Sequence, residues 1–159
     1  MWLRGNMEIT LLVDYPHEAK QIAQWYYDEW ACHASNVSKE MVFEDVAKKS
    51  VSSSQIPLAI IARKDNKLVG VAELKYHENR NYPDYVHWLG GVFVAPEHRC
   101  KGISNHLIEK SKNKAVELGI KKLYLQCESH NIELYQKHGF QVLHLEGESS
   151  SIMVLGITT

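Results

Sequence analysis

Apolar positions along the chain switch between two periods, and the switches mark its elements. Alternation over residues 8–13 predicts a short strand that stops at Asp14-Tyr15-Pro16. Pro16 suits the first position of a helix over 17–30, with Ile22, Trp25, Tyr26 and Trp30 on one face. A second helix starts near Ser38, with Glu40 in its first turn and Met41, Val42, Val46 and Ala47 directed inward. The serine-rich stretch 50–55 breaks the pattern and is the best candidate for a mobile loop. Strands over 57–63 and 68–75 then form a hairpin around Lys64-Asp65-Asn66-Lys67. Residues 77–84 are polar, contain Asn79, Asn81 and Pro83, and read as an exposed loop.

The strand over 85–94 is interrupted by Gly90-Gly91, which predicts a bulge or a splay. A long helix follows, on which Ile103, Leu107, Ile108, Ala115 and Leu118 recur at helical spacing, and Gly119 closes it. A strand over 122–127, a short helix over 131–138 capped by Gly139, and strands over 140–145 and 151–155 complete the chain. An antiparallel front half followed by βαβ units predicts an α/β fold, a mixed sheet with helices on both faces. The whole chain, 1–159, reads as one domain, with 1–6 as a frayed extension and Met7 as an alternative start.

Composition narrows the function classes. Hydrophobic content of 45% with 23% charged residues suits a globular protein. A net charge of −1 gives no broad attraction for nucleic acid or an anionic membrane. No apolar run approaches the ~20 residues of a membrane span, and no signal-peptide core is present, so a cytoplasmic location is expected. Cys32, Cys100 and Cys127 lie far apart and read as reduced thiols. The nine histidines show no metal-ligand spacing, so no metal is expected. Neither Gly-Lys-Ser/Thr nor Gly-x-Gly-x-x-Gly occurs, which disfavours a nucleotide-binding enzyme.

The candidate chemistry sits where the strand ending Val92-Phe93-Val94 passes through Ala95-Pro96 to Gly102 and the long helix. A helix start leaves backbone N–H groups without intrahelical partners, and a glycine before it lets an anion approach them. The same residues fit an ordinary βα connection with a capping serine, and spacing alone separates neither reading.

Two motifs resemble those of one family. Arg99-Cys100-Lys101-Gly102-Ile103-Ser104 is similar to the Arg/Gln-x-x-Gly-x-Gly/Ala acyl-CoA loop of the GNAT N-acetyltransferase superfamily, with a serine in the last place. Leu134-Tyr135-Gln136-Lys137-His138-Gly139-Phe140 resembles its second signature, a tyrosine one turn before Gly-Phe. The element order matches from Met7 onward. The resemblance implies a GNAT-like acyl-CoA N-acyltransferase fold with a central six- to seven-stranded sheet. It implies acetyl-CoA as co-substrate and a primary amine of a small molecule or peptide as acceptor, attacked directly in a ternary complex. The rival reading is a non-catalytic acyl-CoA sensor or scaffold. Monomer and homodimer both stay open.

Under that resemblance, pyrophosphate sits on the amides of residues 100–105, from Cys100 through Lys101, Gly102, Ile103 and Ser104 to Asn105. Arg99 and Lys101 add charge-assisted contacts. The pantetheine arm pairs with the strand at Val92, Phe93 and Val94. Many members carry an asparagine two turns before the tyrosine; Asn131, four residues before Tyr135, is the candidate here. Tyr135 is the candidate general acid, protonating the departing thiolate. Glu73 or His87 is the candidate base. Acceptor contacts are assigned to Trp25, Trp30, Tyr85 and Glu128, with the 50–55 and 77–85 loops beside them.

Overall fold

The computed structural model describes residues 2, 3 and 6–157. Its eight strands form one sheet, in the order β1-β2-β3-β4-β5-β6-β8-β7. They are β1 (Trp2–Leu3), β2 (Met7–Leu11), β3 (Leu58–Lys64), β4 (Lys67–Tyr76), β5 (His87–Val94), β6 (Lys122–Glu128), β7 (Gln141–Glu146) and β8 (Ser150–Gly156). The helices are α1 (Ala19–Glu29), α2 (Lys39–Ala47), α3 (Ile103–Glu117) and α4 (Ile132–Gln136). Seven strands are those expected. The eighth arises in the segment expected to fray, where Trp2 pairs with Glu8 and Leu3 with Met7. The remainder of that expectation, at Met1, Arg4 and Gly5, lies outside the described residues.

Every pairing is antiparallel except β5 with β6, the pair joined through α3, because a crossover helix returns the chain in the same direction. Residues 58–62 of β3 are all buried, since helices cover both faces. Leu58, Ile60 and Ala62 pack with Ile103, Leu107 and Ile108 of α3. Ala59 and Ile61 pack with Ile22, Ala23 and Tyr26 of α1 and with Val46 of α2.

Two expectations change. Trp30 is 48% exposed because α1 ends before it; its backbone leaves the helical region at φ −127°. Met41 is 52% exposed, with only Val46 of α2 fully buried, while Ser38 caps the helix by accepting from the Met41 N–H at 3.1 Å. Residues 77–84 form the exposed loop expected, and that loop is also anchored to the sheet. Asn79 Nδ2 donates to Gln126 Oε1 (3.0 Å) and Glu146 Oε2 (2.9 Å), and Tyr82, Tyr85 and Tyr124 stack in series at 5.0 and 4.3 Å.

Candidate active site

Strands β5 and β6 share a single bridge, Trp88 opposite Tyr124, and beyond it they part. The cause is local to β5. Its register against β4 shifts between the Val71–Phe93 and Glu73–Gly90 pairs, which leaves two residues, Gly91 and Val92, opposite Ala72 alone. Gly91 takes φ +57°, and a Cβ there would meet Tyr26 Oη at 2.5 Å and Glu73 Oε1 at 2.8 Å. Tyr26 Oη donates to the Gly91 carbonyl at 2.7 Å and ties the bulge to α1. A Cβ on Gly90 would strike Lys75 Cε at 2.6 Å. The parted strands open a cleft of about 1530 Å³ between α1–α2 on one side and the start of α3 with α4 on the other.

At one end lies the glycine-bearing loop. Cys100 (φ +63°) and Gly102 (φ +79°) both take left-handed conformations. Gly102 is the N-cap and supplies no side chain, so the capping-serine reading does not hold. The first intrahelical bond runs from His106 N–H to the Gly102 carbonyl (3.4 Å), so the amides of Ile103, Ser104 and Asn105 are left without intrahelical acceptors. That is a cradle for an anion, reinforced by the helix dipole. Arg99 does not reach into it as a free charge; its Nε donates to the Val94 carbonyl at 2.8 Å and its guanidinium lies over the Phe93 ring. Lys101 is exposed and does not line the cleft. Val92, Phe93 and Val94 form the strand wall, and Asn131 and Tyr135 face it from the α4 side.

Tyr135 packs edge-on against Phe140 and its hydroxyl has no hydrogen-bond partner among the described residues. Burial, with a smaller contribution from Cys127, pushes its phenol well above the ordinary tyrosine range. Burial, followed by the charge of Glu73, does the same to Tyr26. A phenol raised in the fold stabilises fully below its unfolded value of about 10 and loses that contribution as pH rises through the folded value. Denaturant midpoints should therefore fall above about pH 10, and Tyr135→Phe should flatten part of that fall.

Glu73 of β4 sits at the bulge, 1% exposed. Its Oε2 lies 2.8 Å from Lys49 Nζ and its Oε1 3.5 Å from Lys75 Nζ. Each carboxylate oxygen thus faces a lysine ammonium, and the closer of the two pairs, with Lys49, is fully enclosed. Lys49 also meets Asp45 at 2.7 Å, and Lys75 meets Glu78 at 2.7 Å. Burial alone would lower the Lys75 ammonium, but Glu73 and Glu78 outweigh it and hold it above its ordinary value.

The structure separates the two base candidates. Glu73 lines the cleft, whereas His87 lies outside it against Tyr76, its imidazole lowered by burial and by His77. Of the acceptor candidates, Trp30 and Glu128 line the cleft. Trp25 instead packs on Phe93, and Tyr85 belongs to the tyrosine stack. The 50–55 loop does not reach the cleft, and the 77–85 loop contributes Glu78. Sequence reasoning missed Lys75 and Lys49 as partners of Glu73. Lys75 was detectable, since it shares a strand face with Glu73 two residues away; Lys49 carried no signal. His98, whose buried Nδ1 lacks a partner, also lines the wall. His138 bridges helices, with Nε2 2.9 Å from Asn105 Oδ1 and Nδ1 3.2 Å from Glu109 Oε2. Among the described residues no group of three or more His, Cys, Asp or Glu is placed to hold a metal, and no helix is long and apolar enough to cross a membrane.

Comparison with known proteins agrees with this geometry. The chain matches the model of the acetyltransferase (GNAT) family over residues 19–140. No curated protein matches it significantly. Among solved structures it is similar to a GNAT-family acetyltransferase from Streptococcus pneumoniae (TM-score 0.72, 18% identity, 96% of this chain and 99% of that one). It is also similar to the yncA protein of Salmonella typhimurium, solved with its cofactor acetyl-CoA (0.75, 17%, 97% and 95%). A third is the PaiA N-acetyltransferase of Thermoplasma acidophilum, solved in complex with coenzyme A (0.66, 22%, 95% and 99%). At these identities the likeness establishes the fold, and the family match over most of the chain establishes more: this protein belongs to the GNAT family of acetyltransferases.

Proposed function

We propose that the protein transfers the acetyl group of acetyl-CoA to a primary amine, the two substrates being held together in the cleft between β5 and β6. The observation that carries this reading is the continuity of that cleft. The bare amides of Ile103, Ser104 and Asn105, the unpaired β5 edge at Val92, the Tyr135 phenol and the Glu73 carboxylate all belong to one cavity. The amides neutralise pyrophosphate, and the open strand edge matches the two amide groups of a pantetheine arm.

Tyr135 and Glu73 lie on opposite walls and take opposite proton roles. An alkylamine is mostly protonated near neutrality, and Glu73 accepts that proton so the nitrogen lone pair is free. The nitrogen bonds to the thioester carbon, the carbon–sulfur bond breaks, and charge collects on sulfur. Tyr135, kept neutral by its burial, meets that charge as a hydrogen-bond donor and passes its proton to the leaving thiolate, and the proton shed by the new amide nitrogen restores the phenol. Arg99 serves by shaping the wall, through its bond to Val94, more than by contacting phosphate.

Calorimetric titration with acetyl-CoA tests the donor half. The space beside Gly102 is open, so tryptophan there covers the amides and also strains φ +79°. Gly102→Trp should weaken acetyl-CoA binding at least about thirtyfold, the loss of about 2 kcal/mol expected when charge-assisted hydrogen bonds are blocked. Unchanged affinity would remove the site. Thiol release across an amine panel tests the acceptor half; tight coenzyme binding without turnover on any amine would favour a non-catalytic acyl-CoA sensor.

A further inference from the structure

Glu73 must be charged to act as a base, yet the sheet around it offers that charge little. Its partners across the strands are Ala59 on β3 and Gly90 on β5, neither of which carries a donor side chain. It is buried, so bulk water does little for it either. A carboxylate in such a place takes up a proton unless a fixed cation stands beside it. Among the described residues, Tyr26 of α1 reaches the same bulge, but its hydroxyl donates to the Gly91 carbonyl. Lys75 of β4 is 3.5 Å from Oε1 and is shared with Glu78 at 2.7 Å. Lys49, 4% exposed, is 2.8 Å from Oε2.

Lys49 comes from outside the sheet. It lies in the 3₁₀ turn Lys48–Ser50 that closes α2, and that turn packs on β3. Its other partner, Asp45 of α2 at 2.7 Å, is exposed and is hydrated without help. Glu73 is the enclosed partner, and Lys49 gives up most of its own hydration to meet it. A buried pair of this kind is seldom more stable than apolar side chains of the same size, so stability alone is a poor account of it. Lys49 does not line the cleft. It holds Oε2 from behind, while Oε1 lies over the Gly91 bulge where β5 and β6 part.

We propose that Lys49 is a positioning residue for acetyl transfer: from behind the cleft wall it keeps Glu73 charged, with Oε1 held at the bulge. Its role rests on the proposed reaction, in which Glu73 is the base. Lys49 touches neither substrate and moves no proton; it acts through Glu73.

Infrared difference spectroscopy reads the charge of Glu73 without an acceptor. At pH 7, Lys49→Met should show the carbonyl stretch of a protonated carboxylic acid that the wild type lacks. The band should be absent from Lys49→Met/Glu73→Gln, which leaves no unpaired charge to bury. Kinetics with the fastest amine of the panel reads the consequence. The kcat/KM of Lys49→Met relative to wild type should be at most about 0.1 at pH 7 and exceed about 0.5 by about pH 9.5, as Glu73 loses its proton. Dividing by wild type removes the titration of the amine, and Tyr26 and Tyr135, both raised by burial, stay neutral over that range. Glu73→Gln should be slow at every pH, and adding Lys49→Met to it should lower the rate by no more than about twofold. A folded Lys49→Met without the acid band, or with a relative rate flat in pH, would overturn the inference while leaving amine acetylation intact. If Lys49→Met does not fold, a double variant many-fold slower than Glu73→Gln would overturn it, since Lys49 would then act other than through Glu73. An amine panel without turnover would instead overturn the proposed function, and the infrared band would still decide whether Lys49 keeps Glu73 charged.

Discussion

Valine in place of Gly91 should destabilise the protein by about 3 kcal/mol and abolish acetyl transfer even in the fraction that remains folded. The energy has two sources of similar size. A β-branched residue at φ +57° costs about 1–2 kcal/mol, and forcing its side chain between Tyr26 Oη and Glu73 Oε1 adds about 1–3 kcal/mol of overpacking. Activity is lost separately, because any relief moves the bulge, and the bulge both parts β5 from β6 and seats Glu73. Denaturant unfolding with Gly91→Val and Gly91→Ala measures the first effect. Pairing Gly91→Ala with Tyr26→Phe dissects it, since removing the hydroxyl takes away the nearest obstruction and also the 2.7 Å bond to the Gly91 carbonyl. Variants with wild-type stability and no register shift would contradict the account.

Tyr135→Phe should lower kcat by about 10²–10³ with little change in acetyl-CoA affinity. The hydroxyl has no hydrogen-bond partner among the described residues, so its removal strands no donor or acceptor there, and the ring keeps its edge contact with Phe140. A transition-state interaction that is absent in the ground state appears in kcat, whereas a packing role would appear as a loss of stability or of binding. Because burial holds the phenol above its ordinary range, wild-type activity should show no decline from Tyr135 ionisation between pH 7 and 10, measured with substrates saturating. A kcat for Tyr135→Phe within threefold of wild type would leave the leaving sulfur to another donor.

The parts of this architecture that were legible in the sequence are those written in short-range terms. The Asp65-Asn66 turn takes positive φ at both residues, as a two-residue hairpin demands, and Gly119 ends the long helix with φ +75°. Gly90-Gly91 announced an irregularity in β5, and the tyrosine motif located one wall of the cleft. What escaped was long-range. The pairing of Glu73 with Lys49 depends on where the end of α2 returns to the sheet, which no local pattern encodes. The exclusion of His87 and Tyr85 follows from the 77–86 loop folding down onto β6 and β7 through Asn79, a contact across 47 and 67 residues. Trp25 and Trp30 looked equivalent at helical spacing; both rings meet Phe93, but only Trp30, beyond the end of α1 at Glu29, lines the cleft.

The bridge made by His138 bears on how the two halves of the cleft behave together. Its ring touches Asn105 in the first turn of α3 and Glu109 one turn on, from a position three residues past Tyr135. The anion cradle and the phenol, far apart along the chain, are thereby fastened to one another through a single side chain. His138→Ala should therefore loosen the helix start and the tyrosine segment together, read as a parallel loss of amide-exchange protection in both. Under the proposed function, phosphate held at one end of the donor channel would also order the proposed donor to sulfur at the other.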